Sequence, residues 1–166
     1  METKIYISDG TGAEWKELAM KRFGYGRGSI SKAAEEALSL WIASENRIIK
    51  TISALKDIAK HDKGIEAVLL FGSYARKESY NDIDVALLLE KNADKIGILA
   101  KCSSVLPSHP KFDLSIFNDM PIETQSRVLN EGTVIYVKDT QQLLGLSAGI
   151  IERLSDQKRL LDNALV

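Results

Sequence analysis

Residues 65–89 constrain the fold of this chain more than any other stretch, because two apolar runs of strand length enclose a short polar segment. The first run covers residues 65–71 and ends at Gly72-Ser73, and the second covers residues 83–89. Apolar runs of this length, bounded by turn residues, are typical of buried strands. The pattern predicts a strand, a tight turn, a polar excursion and a second strand.

Two acids stand at the beginning of the second run. Asp82 and Asp84 are two residues apart, and this spacing places both carboxylates on the same side of an extended strand. Unpaired carboxylates held this close repel and raise each other's pKa, and a bound divalent cation stabilises such a pair. Hard oxygen ligands suit Mg²⁺ or Mn²⁺. The spacing therefore predicts a metal site.

A third acid, Asp113, lies in the strand-like alternation of residues 111–117. If that strand lies beside residues 83–89, Asp113 joins Asp82 and Asp84. Three carboxylates can hold two metal ions about 3.5–4 Å apart, an arrangement used in phosphoryl-type transfer. Gly72 and Ser73 supply the complementary part, because a glycine lets a phosphate approach the backbone and N–H groups with a hydroxyl can bind it.

The run G-S-Y-A-R at 72–76, followed by N-D-I-D-V at 81–85 and a later acid on a strand, resembles the DNA polymerase beta-like nucleotidyltransferase superfamily. Within it, the chain is most similar to the minimal nucleotidyltransferases. The resemblance covers residues 47–138. Two positions differ: the family usually has glycine where this chain has Lys77, and serine where it has Asn81.

The resemblance implies Mg²⁺- or Mn²⁺-dependent transfer of a nucleoside monophosphate, AMP from ATP, to a hydroxyl group. Asp82, Asp84 and Asp113 would be the catalytic metal ligands, with Asp113 also helping to deprotonate the acceptor. Gly72 and Ser73 would bind the nucleotide phosphates. Arg76 would be a cationic phosphate ligand, or would instead pair with Glu78 or Asp82.

The resemblance also implies a protein acceptor, because minimal nucleotidyltransferases often act as antitoxins that AMP-modify a separately encoded HEPN-domain toxin. Two other classes of function stay open. One is a binding module that grips a toxin or DNA without turnover. The other is a small-molecule transferase, such as one that inactivates an antibiotic.

The N-terminal stretch has a different pattern. Residues 3–8 alternate, with Ile5 and Ile7 on one face and Lys4, Tyr6 and Ser8 on the other. A turn at 9–10 and a capping box at 11 and 14 then predict a first helix, and Ser29 or Ser31 begins a second. One strand and two helices cannot bury a core alone, so two copies are expected to pair as an antiparallel ribbon.

This order, with G-S-I-S-K-A at 28–33 opening the second helix, resembles the ribbon-helix-helix family of dimeric DNA-binding domains. The resemblance implies a homodimer in which Lys4, Tyr6 and Ser8 face the bases of operator DNA while Ser29 and Ser31 meet phosphate. Residues 1–46 hold six basic and seven acidic side chains. This is not the basic footprint of a strong DNA binder, so a dimerisation module without DNA stays open.

The whole chain is predicted to be an α+β protein with a ribbon-helix-helix domain at 1–45 and a small mixed-sheet transferase domain at 46–166, joined at a hinge or bend near residues 44–46. Later elements are a helix capped by Asn92, the strand at 111–117, a helix at 121–129, a strand at 134–137 and a final helical region that Gly145 and Gly149 could interrupt. Cys102 is the single cysteine, which fits a reducing cytoplasm. We expect no signal peptide and no membrane span.

Overall fold

The structure of the protein is a computed structural model that describes residues 4–164, without the side chains of residues 158 and 160–164. The chain divides into two compact units, Met1–Asn46 and Arg47–Val166. This division falls beside the boundary predicted between residues 45 and 46. Each unit is described separately.

The N-terminal unit contains helix α1, Asp9–Phe23, and the beginning of helix α2, Ser29–His61. Residues 4–8 have no regular secondary structure in this single chain. The turn predicted at Asp9-Gly10 is wrong, because these residues form the first turn of α1 and Ser8 precedes it as the N-cap residue. Thr11 therefore lies inside the helix and does not begin it. Its Oγ1 accepts a hydrogen bond from the Ser8 hydroxyl over 2.9 Å.

The hinge or bend predicted near residues 44–46 stays a prediction, but helix α2 runs through these residues without a break over its 33 residues. The physical reason lies in the sequence, which has neither proline nor glycine between residues 29 and 61. Nothing there removes a backbone donor or inserts into the hydrogen-bond ladder, and these are the usual causes of a break.

The C-terminal unit is built on a four-stranded mixed sheet in the order β3-β2-β1-β4. β1 pairs antiparallel with both β2 and β4, and β2 pairs parallel with β3. This confirms the predicted α+β class with a small mixed sheet. The elements are β1 Ile65–Phe71, α3 Gly72–Ala75, β2 Asp82–Leu89, α4 Lys95–Ser103, β3 Lys111–Ile116, a 3-10 turn at Phe117–Asp119, α5 Ile122–Glu131, β4 Thr133–Val137 and α6 Thr140–Ala164.

Two predicted helix details need correction. Helix α4 begins at Lys95 and its N-cap is Asp94, whose Oδ1 accepts a hydrogen bond from the Gly97 N–H over 3.0 Å, so Asn92 is not the cap. Helix α6 runs through Gly145 and Gly149 without interruption. None of the helices within residues 4–164 is long and apolar enough to cross a membrane.

The core lies on both faces of the sheet, because successive side chains of β1 and β2 point to opposite sides. One face packs on α2 and α4 through residues such as Ile48, Leu55 and Ile98. The other face packs on α5 and α6 through Val128 and Ile150. The central strands β1 and β2 are thus buried on both faces. This packing fixes the position of the acids at the beginning of β2.

Candidate active site

The turn after β1 places a carboxylate directly against the backbone. Phe71, the last residue of β1, lies opposite Asp84 in the antiparallel register. Gly72 follows with a φ of +71°, in the left-handed region, and a Cβ at this position would overlap Asp84 Oδ2. Glycine is therefore required here for two reasons, its backbone conformation and the close approach of an acid.

The parallel pairing of β2 and β3 brings the third acid beside the other two. Asp84 lies opposite Asp113, and Asp82 lies opposite Lys111. The predicted neighbouring position of the Asp113 strand is confirmed. Asp82 and Asp84 are half-buried and Asp113 is exposed. All three acids therefore share one end of two adjacent strands.

The pKa of the Asp84 carboxyl is raised above its usual value. Burial is the main cause, because it disfavours the charged form, and the negative charges of Asp82 and Asp113 add to it. Lys111 and Arg76 act in the opposite direction. The acids thus concentrate negative charge that nearby cations compensate only in part.

The donor set fits a hard divalent cation, because it consists of carboxylate oxygens at neighbouring register positions whose repulsion a cation would relieve. Within the part of the chain that the structure describes, however, no three His, Cys, Asp or Glu side chains are close enough together to hold a metal ion as they stand. Lys111 Nζ lies 3.8 Å from Asp113 Oδ2. The metal-ligand roles of Asp82, Asp84 and Asp113 stay predictions.

A cleft of about 330 Å³ opens beside Asp84. It brings together Gly72, Ser73 and Arg76, the three residues predicted to bind nucleotide, while Asp82 and Asp113 lie outside its lining. The cleft is lined by Phe71, Gly72, Ser73, Arg76 and Asp84 on one side and by Thr124, Arg127, Val128 and Glu131 of α5 on the other.

Arg76 is held by two carboxylates. Its Nη2 lies 2.9 Å from Glu78 Oε2, and its Nη1 lies 3.3 Å from Glu131 Oε2. Its pKa is raised, chiefly by the hydrogen bonds with Glu78. The predicted alternative partner Glu78 is thus confirmed, and the second partner is Glu131 rather than Asp82.

The α5 residues of the cleft were missed by the sequence reading. Thr124, Arg127 and Glu131 follow a spacing of three and four residues and so lie on one face of a helix. Val128, also on this face, is 1% exposed and anchors α5 in the core. The sequence feature that could have identified them is the spacing of these polar residues on the predicted helix directly before β4.

Lys77 has a φ of +60°, the left-handed conformation that glycine tolerates best. This is the position at which the resembled family usually has glycine. Glycine would adopt this conformation without strain, whereas Lys77 adopts it at a cost in backbone strain.

The residues predicted to bind DNA lie in the N-terminal unit. Lys4, Tyr6, Ser8 and Ser31 are exposed. Ser29 is 5% exposed, and its hydroxyl donates to the carbonyls of Gly24 and Gly26. The Ser29 hydroxyl is thus engaged within the loop before α2, and the DNA-binding roles of these five residues stay predictions.

Residues 53–141 match the family described as Polymerase beta, Nucleotidyltransferase. The match covers more than half of the chain, and the protein belongs to this family. No curated protein matches the sequence significantly.

Solved structures with a similar fold include toxin–antitoxin complexes. The chain is 22% identical to a chain of a mutant toxin–antitoxin MntA-HpeT, with 74% of this chain and 98% of that chain covered and a TM-score of 0.50. It is 25% identical to a chain in a complex of tri-AMPylated Shewanella oneidensis HEPN toxin with MNT antitoxin, over 75% and 98% of the two chains, with a TM-score of 0.45. A putative nucleotidyltransferase from Sulfolobus solfataricus is 19% identical over 60% and 88%, with a TM-score of 0.42.

The substitution Lys77→Gly is expected to stabilise the protein by about 1 kcal/mol, because glycine adopts the left-handed conformation without the steric cost that a Cβ imposes. Urea unfolding measures the change. Lys77→Ala is the matched control, since it removes the charged side chain but keeps the Cβ. Equal gains for the two variants would show that the side chain, and not the backbone, sets the stability.

Asp84→Asn is expected to raise the melting temperature of the metal-free protein at neutral pH. A carboxyl whose folded-state pKa is raised favours folding below its unfolded pKa of about 4, and loses this contribution as the pH rises through the folded value. The difference between variant and wild type should therefore be small near pH 4 and grow toward pH 7. Thermal unfolding in EDTA across this range measures it.

Asp57→Asn serves as the control for this series, because Asp57 is an exposed carboxylate on α2 that pairs with Lys60. It removes one carboxylate charge at a position that does not line the cleft. Parallel profiles for Asp84→Asn and wild type would contradict the strain assigned to the Asp84 charge.

Proposed function

We propose that the protein is a metal-dependent nucleotidyltransferase that transfers AMP from ATP to a hydroxyl group of a partner protein. Membership of the Polymerase beta nucleotidyltransferase family supports the class of reaction. The single observation that carries the proposal is the position of Asp84 against Gly72, in a cleft that also contains Ser73. The carboxylate proposed to act in catalysis and the turn proposed to bind phosphate are thus adjacent to each other.

Each residue has a role in this proposal. Asp82 and Asp84 would hold Mg²⁺ or Mn²⁺, and Asp113 would complete the donor set from β3. The cation, when bound, supplies positive charge to the phosphates and orients them. Gly72 leaves the backbone open to a phosphate, and the Ser73 hydroxyl donates to a phosphate oxygen.

The proposed reaction exchanges one phosphorus–oxygen bond for another. The acceptor hydroxyl oxygen bonds to the α-phosphorus, and the bond from that phosphorus to the oxygen bridging the α- and β-phosphates breaks. Pyrophosphate leaves, and AMP remains esterified to the acceptor. The hydroxyl proton passes to the Asp113 carboxylate, which acts as general base.

A protein is the acceptor that fits best. The unit Arg47–Val166 consists of a four-stranded sheet and its helices, and its described part adds no further domain for an acceptor. The resemblance to minimal nucleotidyltransferases points to a HEPN-type toxin as partner and to an antitoxin role. A non-catalytic antitoxin and a small-molecule transferase are the alternatives. In neither of them would AMP be transferred to the partner protein.

Wild-type protein with Mg²⁺ is expected to bind ATP and to transfer radiolabel from [α-³²P]ATP to the co-expressed toxin. Asp84→Asn and Asp82→Asn should lower the transfer rate at least a hundredfold, because each removes a metal ligand. Asp57→Asn should keep full transfer. Calorimetry with and without Mg²⁺ measures whether ATP binding depends on the metal.

Three results would contradict this proposal. ATP binding that is equal with and without metal removes the role of the aspartates. Neutralisation of the toxin without label identifies a non-catalytic antitoxin. Label that enters only a small hydroxylated molecule identifies the third class.

A second function is proposed for the N-terminal unit, namely homodimerisation through residues 3–8 with binding of operator DNA and repression of the protein's own promoter. Ile5 and Ile7 are 59% and 43% exposed, which is costly for a monomer. They line an apolar groove of about 390 Å³ together with Trp15, Ala34, Ala37 and Leu38. A ribbon formed with a second copy would cover this groove, and would leave Lys4, Tyr6 and Ser8 free to face DNA.

The double variant Ile5→Asp/Ile7→Asp is expected to halve the mass measured by light scattering, because charges replace the apolar face of the ribbon. It should also abolish promoter binding in a gel shift. Lys4→Ala should keep the dimer and weaken promoter binding about tenfold, in line with the loss of one base contact of 1–3 kcal/mol.

Asp84→Asn is the control for this pair, because it lies in the other unit and should leave promoter binding unchanged. A wild-type monomer would refute the ribbon. A wild-type dimer that binds promoter and random DNA equally at every salt concentration would leave only a dimerisation module.

A further inference from the structure

Helix α5 places an arginine without a described partner in the cleft. Arg127 lines the same cleft as Gly72 and Ser73 and is exposed. It makes no hydrogen bond or ion pair with any side chain or backbone group that the structure describes. Its guanidinium is thus available to a ligand.

Arg76, the other arginine of the cleft, is in a different state. Glu78 and Glu131 both bind its guanidinium, so two negative charges face one positive charge. A phosphate would have to compete with both carboxylates for this guanidinium. Arg76 therefore serves to join the loop after α3 to the last turn of α5, and Arg127 is the stronger candidate for binding an anion.

The position of Arg127 is fixed by its helix. Gln125 donates to the carbonyls of Phe117 and Met120 over 3.2 and 3.0 Å, which holds the first half of α5. Val128, the next residue after Arg127, is buried in the core. The ion pair of Glu131 with Arg76 holds the end of the helix. Arg127 projects from a rigid element, which reduces the entropy lost when it binds a ligand.

The cleft is therefore polarised. Asp84 lies on one wall, beside the other acids, and Arg127 lies on the wall formed by α5. The cations that act most strongly on Asp84 are Lys111 and Arg76, and Arg127 is not among them. A ligand that fits this arrangement is a polyanion whose reacting phosphate meets the acids while its distal phosphates extend toward α5.

We propose that Arg127 binds the β- and γ-phosphates of the nucleotide and remains bound to pyrophosphate as it leaves. The proposal rests on the proposed nucleotidyltransferase function and names a specificity residue within it. A planar guanidinium binds phosphate oxygens in a bidentate manner, which a lysine ammonium cannot do. Thr124 lies one turn earlier on the same face and adds a hydroxyl donor to this wall.

The test compares the affinities of ATP, ADP and AMP in the presence of Mg²⁺ by titration calorimetry. Arg127→Gln is expected to weaken ATP binding about ten- to a hundredfold, the loss expected for a charge-assisted hydrogen-bonded pair, and to weaken ADP binding less. AMP binding should not change, because AMP has no distal phosphate. Arg127→Lys should recover part of the ATP affinity.

Arg47→Gln is the matched control, because it removes the same charge from an exposed arginine that does not line the cleft. It should leave all three affinities unchanged. The melting temperature of Arg127→Gln should equal that of wild type, because the side chain has no described partner to lose. Pyrophosphate should also inhibit label transfer less in Arg127→Gln than in the control.

Two results would overturn the role of Arg127 while leaving the transferase intact. One is unchanged ATP affinity in Arg127→Gln. The other is an equal loss for AMP and ATP, which would place the arginine at the α-phosphate or the nucleoside. If wild-type protein binds none of the three nucleotides, the proposed function itself fails, and the proposal for Arg127 fails with it.

Discussion

The close approach of the Asp84 carboxylate to the backbone of Gly72 is the contact on which the rest of the site depends. It follows from the antiparallel register that sets Asp84 opposite Phe71, the residue before the turn. Because a Cβ at Gly72 would overlap the Asp84 carboxylate where it lies, glycine at this turn allows the acid to keep its position. The parallel neighbour β3 then brings Asp113 to the same strand end. The registers of β2 with β1 and of β2 with β3 thus determine the positions of the turn and of two acids.

This arrangement stores electrostatic strain. Burial and two neighbouring carboxylates oppose ionisation of Asp84, and the opposing cations Lys111 and Arg76 compensate only in part. The apolar side chains that are buried on both faces of the sheet hold the strands, and with them the acids, in place despite this repulsion. Strain of this kind is typical of a site that is completed by a ligand, because a bound cation converts repulsion into attraction. The positive φ of Lys77, in the loop between the turn and the acids, adds backbone strain at the same place.

The parts of the fold that the sequence predicts correctly are those with local patterns. The central strands are apolar runs, Asp82 and Asp84 follow a period of two, and residues 111–117 alternate, so β1, β2 and β3 could be located from the sequence alone. Helix α2 runs unbroken through residues 44–46, although the polar residues there resemble a junction, because none of them breaks a helix. The ribbon at residues 3–8 is a different case, since its hydrogen bonds would belong to a second copy and a single chain cannot display them.

Helix α5 shows why the site itself was only half predicted. The motif residues Gly72, Ser73 and Asp84 are close in sequence, whereas the facing wall begins 40 residues after Asp84 and is recognisable only once the sheet is built. The pair Arg76–Glu131 joins positions 55 residues apart, and no spacing rule connects them. That ion pair nevertheless affects the chemistry of the cleft, because the carboxylates of Glu78 and Glu131 neutralise Arg76, the arginine of the motif. Arg127 is then the arginine of the cleft that has no described partner. In the proposed mechanism a helix rather than the strained loop would carry the phosphate-binding charge, so the group that positions the substrate would be separate from the groups that react with it.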